Sequence, residues 1–197
     1  EELVDPRNAA PGDAVILARG IAIEGTSLIS RELANELTPH LGSDLIERSR
    51  RFLHDPGISV VPAARLLHRE LGRDLHGMHD PTEGGLATGL REIATAAGTG
   101  ILVERDKIPV YPETTAICKV LGLDPLGLIA SGALLATVQA DVAVRAVELL
   151  NDNGIPAARI GTLLTDPQQV IMRTEGRFLD LPEFAVDEIA RLFAERT

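Results

Sequence analysis

Tryptophan is missing from this chain of 197 residues, and aromatic residues make up only 3% of it. Single-stranded nucleic acids are held on aromatic stacking platforms, so that scarcity removes one partner class. Basic charge is also short: Lys and Arg number 19 against 29 Asp and Glu, for a formal net charge of −10. Phosphate-backbone affinity needs clustered cations, and the densest group, Arg48, Arg50 and Arg51, reads as a solvated helix face. No nucleic-acid partner is expected. The single cysteine, Cys118, excludes an internal disulfide and a multi-cysteine zinc site. It lies in an apolar helical stretch and reads as a buried, inert thiol. No apolar run approaches the roughly 20 residues that span a bilayer, and residues 1–5 lack signal-peptide character. A soluble, cytoplasmic protein without membrane contact is expected.

What is present is enough for a core. With 45% apolar residues the chain is not disordered, and its length suits one large domain or two small ones. The most informative stretch is His79-Asp80-Pro81-Thr82-Glu83-Gly84-Gly85. Leu86, Leu90, Ile93, Ala94 and Ala97 follow at helical spacing, so a helix over 84–97 is predicted. Two glycines at its start weaken it by about 1 kcal/mol each relative to alanine, unless bare backbone is needed there. Helix N-termini present unpaired N–H groups that favour anions, phosphate above all. Asp80 suits a magnesium ion carried by that phosphate, because hard divalent cations prefer carboxylate oxygen. The plainer reading makes Asp80 and Thr82 turn and cap residues only.

In chain order, residues 1–13 are polar and proline-punctuated and read as a lead-in linker. Residues 14–18 form a continuous apolar run, a strand buried on both faces. Gly20 to Thr26 brings two glycines after that strand, with a helix predicted over 26–37. Strand, glycine loop, helix is an arrangement that can wrap a phosphate, and Glu24, Gly25 and Thr26 lie in it. Its spacing matches neither the Walker loop nor the dinucleotide fingerprint. A helix over 43–53 ends at the turn His54-Asp55-Pro56-Gly57, residues 58–61 read as extended, and Pro62 opens a helix to 71. Further on, strands are predicted at 101–103 and 133–138 and helices at 112–121, 140–151 and 184–193. Residues 158–163 and 169–172 read as an antiparallel hairpin across Asp166-Pro167. The fold class is α+β with α/β character, a mixed sheet covered by helices.

Four separated segments, in this order, resemble the AIR synthetase superfamily, in its C-terminal domain, nearest to the hydrogenase expression/formation (HypE) branch. Gly12-Asp13 with the following strand and the Gly20–Thr26 loop is the first. His79 to Gly85 is similar to the family's Asp-Pro-Thr-Arg-Gly-Gly motif. Leu121 to Leu126 with Ala130-Ser131-Gly132, and then Arg159-Ile160-Gly161, complete the likeness, which spans residues 11–175.

The resemblance implies a domain, residues 14–197, that binds ATP and magnesium in a cleft shared with an N-terminal domain, to which residues 1–13 would lead. It implies phosphorylation of an amide or carbonyl oxygen ahead of dehydration or ligation; in the HypE branch a carbamoylated cysteine becomes a thiocyanate during hydrogenase maturation. By position, Asp80 would ligate magnesium, and Gly20, Glu24, Gly25, Thr26, Thr82, Gly84 and Gly85 would line the cofactor. A homodimer is expected. The sequence departs from the pattern where Glu83 stands in place of arginine, where the N-terminal half is absent, and where no terminal cysteine follows. A chain of this kind would not turn over ATP alone. The alternative is a dimerisation or docking domain of the same ancestry, using the helices at 84–97 and 140–151 for subunit packing.

Overall fold

The structure, a computed structural model, describes residues 3–196. Strand β1 (Ala14–Ala18) is buried along its whole length, as its unbroken apolar sequence requires. Three short helices follow, α1 (Ile23–Glu32), α2 (Ala34–Leu41) and α3 (Ser43–Arg50), then a single π turn at Leu53–Gly57 and helix α4 (Val61–Leu71). Strand β2 (Leu75–His79) leads into α5 (Gly85–Ala97), and β3 (Gly100–Glu104) into α6 (Pro112–Leu121). The remainder is β4 (Leu134–Val138), α7 (Ala143–Asp152), β5 (Ala157–Leu164), β6 (Val170–Thr174), β7 (Arg177–Asp180) and α8 (Glu188–Ala194).

The strands form one seven-stranded sheet in the order β2-β4-β1-β5-β3-β6-β7. Every pairing is antiparallel except β3 with β6, so the sheet is mixed, as expected. Side chains alternate across a strand, and β1 divides its residues accordingly. Val15 and Leu17 join an apolar cluster with Leu86, Leu90 and Ile93 of α5. Ala14, Ile16 and Ala18 join a second cluster with Leu67 of α4 and Leu150 of α7. A third cluster, including Ile29, Leu37, Ile46, Ile117 and Leu192, gathers α1, α2, α3, α6 and α8.

Several elements differ from the sequence expectation. The helix predicted over 26–37 begins at Ile23 and breaks at Leu33, whose φ of −111° and ψ of 22° separate α1 from α2. Residues 58–61 form no strand; Val60 already has helical φ/ψ at the start of α4. The hairpin expected between 158–163 and 169–172 does not form. The two strands instead lie on opposite sides of β3, which has buried Ile101 and Val103 and backbone groups to pair on both edges. β6 makes its hairpin with β7, which the sequence reading missed. Residues 140–142 form a 3₁₀ turn ahead of α7.

The described part of the expected linker is held against the domain. Ala9 is 6% exposed and belongs to the first cluster. Asp13, 4% exposed, accepts the Ala10 N–H and bonds His76 Nδ1 at 2.7 Å. Residues 1 and 2 lie outside the described residues.

Both ends of α5 rest on left-handed glycines: Gly84 and Gly85 at its start, with φ of 75° and 67°, and Gly98 at its end, with φ of 65°. They differ in surroundings. A Cβ on Gly85 would fall 2.4 Å from the Leu126 carbonyl oxygen, whereas one on Gly98 would meet nothing within 4 Å. Gly85→Ala therefore combines left-handed strain with a backbone collision and should destabilise by about 2–5 kcal/mol, against about 1–2 kcal/mol for Gly98→Ala. Chemical denaturation of the two variants checks the order. Cys118 is buried, and burial pushes its thiol up to about 12, with Asp124 and Glu188 adding to the shift. The thiolate is the reactive form, so the native protein should resist a thiol-reactive dye at pH 8 and react once denatured. Rapid labelling of the folded chain would contradict that burial.

Candidate functional site

The register of three strands places the two glycine-bearing turns together. Ala18, the last residue of β1, pairs with Leu134, and His79, the last of β2, pairs with Leu135. β4 lies between β1 and β2 and antiparallel to both, so both turns leave the same edge of the sheet. Two strand spacings separate them, about 10 Å. Residues 130–133, which feed β4, lie between the turns.

The turn after β1 carries backbone strain. Arg19 and Ala22 both have positive φ, 69° and 59°, an uncommon conformation for residues with a Cβ. It costs about 1–3 kcal/mol per residue and persists only where surroundings enforce it. Those surroundings are visible. The Arg19 guanidinium donates to the Gly57 carbonyl at 2.7 Å, and its N–H donates to the Pro156 carbonyl at 2.6 Å. Gly20 is roofed by Tyr111, whose ring would lie 2.6 Å from a Cβ there and whose hydroxyl accepts the Gly20 N–H at 3.4 Å. Burial raises the Tyr111 phenol, and the Gly20 bond opposes that shift. Tyr111 in turn meets Phe52 edge-on with centroids 5.1 Å apart. A cavity of about 360 Å³ beside this pair is lined also by Arg48, Arg51, Asp55 and Glu113.

Helix α1 starts inside the stretch read as a loop, so Glu24, Gly25 and Thr26 stand in its first turn. No side chain caps its N-terminus. Glu24 is partly exposed, whereas Gly25 and Thr26 face inward. A Cβ on Gly25 would fall 2.5 Å from Leu128 Cγ, so this glycine serves close packing. Thr26 bonds the Thr114 hydroxyl at 2.7 Å in the interior.

The α5 entrance is built differently. Asp80, Thr82 and Glu83 are exposed, and Gly84 and Gly85 are buried. The Gly84 N–H donates to Asp187 Oδ2 at 2.7 Å, and the Gly85 N–H to the Thr82 carbonyl at 3.1 Å. These two amides are thus engaged within the chain and do not point outward as donors. The Glu83 carboxyl is held below the usual range first by its own backbone N–H and then by the Thr82 hydroxyl. Gly25 and Gly85 press on one segment, 126–128, which links the two entrances. Among the described residues no group of three or more His, Cys, Asp or Glu side chains is placed to hold a metal ion. The carboxylates of Asp80 and Glu24 offer oxygen donors suited to magnesium, whose remaining ligands are ordinarily phosphate and water.

Two residues of this region escaped the sequence reading. Tyr111 carried no motif. Asp187 had a local signal, an acid heading an apolar helical run, but that signal says nothing of a partner 103 positions away. A cavity of about 560 Å³ lined by Glu183, Phe184, Val186, Glu188, Arg191 and Glu195, among others, contains none of the expected site residues.

Known proteins share the sequence family and the fold. Residues 10–173 match the family described as AIR synthase related protein, C-terminal domain. The carbamoyl dehydratase HypE of Cupriavidus necator is 34% identical over 179 residues, 88% of this chain and 46% of its own. A putative hydrogenase expression/formation protein of Methanocaldococcus jannaschii is 32% identical over 181 residues, 89% of this chain and 50% of that protein. The chain spans about half the length of these relatives. Among solved structures, a hydrogenase maturation protein HypE in complex with ATP superposes with a TM-score of 0.75 at 27% identity, covering 94% of this chain and 54% of that one. A HypE–HypF complex gives a TM-score of 0.74 at 26% identity, covering 91% and 55%. No helix among the described residues is long and apolar enough to cross a membrane. With four-fifths of its length matched and its sheet edge arranged as described, the chain belongs to the AIR synthase related family, as the C-terminal domain, on the branch of the hydrogenase expression/formation proteins.

Proposed function

We propose that this chain is the C-terminal half of an ATP-dependent, HypE-related protein that phosphorylates an amide or carbonyl oxygen for dehydration or ligation in hydrogenase maturation. The observation that carries the reading is the convergence of the α1 and α5 entrances on one sheet edge, with Asp80 exposed and Glu24 partly exposed there. A relative solved in complex with ATP supports a nucleotide ligand. An N-terminal ATP-binding domain, reached through residues 1–13, completes the cleft, and the assembled protein is a cytoplasmic homodimer. Magnesium, held by Asp80 and phosphate oxygens, supplies charge neutralisation for phosphoryl transfer. On this reading the backbone of the α1 first turn faces phosphate, and Thr82 orders Glu83. Gly20, Gly25, Thr26, Gly84 and Gly85 shape the edge from beneath.

The docking alternative has narrower support than its sequence suggested. Leu86, Leu90, Ile93 and Ala94 of α5 and Ala143, Ala146 and Leu150 of α7 are buried in the domain's own core. Exposed apolar side chains that a partner could cover include Val144 on α7, 69% exposed, and Phe178 and Leu179 on the edge strand β7, 61% and 51% exposed.

The test uses the chain joined to its upstream reading frame, assayed for ATP hydrolysis with candidate carboxamides. Asp80→Asn removes one charge-assisted contact, so the affinity for magnesium-ATP or the turnover should fall about 10- to 100-fold. Equal affinity and turnover in the variant would remove Asp80 from the site, and a parent protein that binds no nucleotide would favour docking.

A further inference from the structure

Three stretches remote in sequence meet at one carboxylate. Asp187 heads α8 and is 9% exposed. Its Oδ1 accepts the N–H of Ile189 at 2.8 Å and of Ile129 at 3.3 Å, while Oδ2 accepts the N–H of Gly84 at 2.7 Å. One oxygen therefore caps its own helix and ties the loop ahead of β4. The other serves the α5 entrance alone.

The segment that carries Asp187 is fixed on both sides of it. Leu181 and Leu192 are buried, at 1% and 2% exposure. The Arg91 guanidinium, on α5, donates to the carbonyl oxygens of Leu181 and Pro182. Phe184 fills the space over Gly127, where a Cβ would lie 2.3 Å from its ring. The Glu188 N–H donates to the Gly127 carbonyl at 3.0 Å, and the Glu188 carboxylate accepts the Asp124 N–H at 3.1 Å. The C-terminal segment is thus a strap laid across the loop that both helix entrances touch.

A helix N-terminus draws negative charge to its free amides. At α5 the chain supplies that charge itself. We propose that Asp187 is a positioning residue, an internal anion that satisfies the α5 entrance, holds the Asp80–Glu83 turn with Asp80 outward, and leaves the uncapped α1 entrance to face phosphate. The part concerning nucleotide rests on the reading of this edge as a nucleotide site. Burial holds the Asp187 carboxyl above its ordinary range, three backbone donors oppose that, and the charge of Glu83 adds to it. Glu188, next in sequence, is paired with Arg191.

Asp187→Asn separates the two oxygens' tasks. Its remaining carbonyl oxygen keeps Ile189 and Ile129, and its NH₂ group is turned against the Gly84 N–H, where no acceptor remains. In the 197-residue chain, the Gly84 amide proton should move upfield and resonances of 80–86 should shift, with the melting temperature lowered by several degrees as a buried N–H loses its acceptor. In the chain joined to its upstream frame, the dissociation constant for magnesium-ATP should rise about ten-fold. Glu195→Gln, at the C-cap of the same helix, should change neither. Unmoved Gly84 and 80–86 resonances would overturn the positioning role. Moved resonances with unchanged ATP affinity in a nucleotide-binding parent would overturn its bearing on the nucleotide. Moved resonances in a parent that binds no ATP would sink the nucleotide reading and leave the structural role of Asp187 standing. Should the Asn variant not fold, Asp187→Ser, which keeps a capping oxygen for Ile189, carries the same readouts.

Discussion

The antiparallel alignment of β1, β4 and β2 is the constraint from which the site follows. β4 runs between two strands that are parallel to each other, so each of them delivers its following turn to the end where β4 begins. Side-chain alternation makes that register hard to slip: a shift of one residue in β1 would exchange Val15 and Leu17 with Ile16 between its two clusters. Both faces of β1 are buried, so the core enforces the placement of Arg19 and Gly20 as firmly as it enforces the strand. The left-handed Arg19 and Ala22 are held by that enforcement.

Motif glycines in this chain have two separable reasons. Sequence reasoning took Gly25, Gly84 and Gly85 as bare backbone for a ligand. The structure shows bare backbone for the chain itself: Leu128 against Gly25, and the Leu126 carbonyl against Gly85. Both contacts fall on residues 126–128, so the motif after β1, the motif after β2 and the stretch before β4 form one packed unit. A likeness carried by these segments together is stronger than any one of them, because each glycine is small on account of another segment.

Local signals were legible and long-range ones were not. The unbroken apolar run of β1 and the proline-started α6 were readable to the residue, because burial on two faces and the first-turn tolerance of proline leave marks in composition. The glycine stop after α5 was equally plain. The pairing of β5 and β6 was misread because adjacency in sequence suggests a hairpin, whereas β3 needed partners on both edges. At the edge, Asp80 and Glu24 were singled out from chemistry and turn context, and the structure leaves Asp80 exposed and Glu24 partly exposed. Asp187 was not singled out, since its capping pattern marks a helix start and leaves the identity of its second acceptor bond to the fold.

Charge decides how an anion can approach this edge. Glu24, Asp80 and Glu83 are acids on or beside the two turns of a chain with a formal net charge of −10. The cation on the first turn, Arg19, has its guanidinium tied to the Gly57 carbonyl. A triphosphate within 4 Å of any one carboxylate meets about 1 kcal/mol of opposition per charge pair even in water, and more as solvent is excluded. The partial positive charge of the α1 N-terminus, worth about 0.3–1 kcal/mol near the surface, is too small to offset several such pairs. A divalent cation bridging carboxylate and phosphate reverses the sign of those contacts. On the proposed nucleotide reading, Glu83, standing where the resemblance has arginine, moves the edge further in that direction, so nucleotide affinity should depend on magnesium more steeply than with arginine at that position.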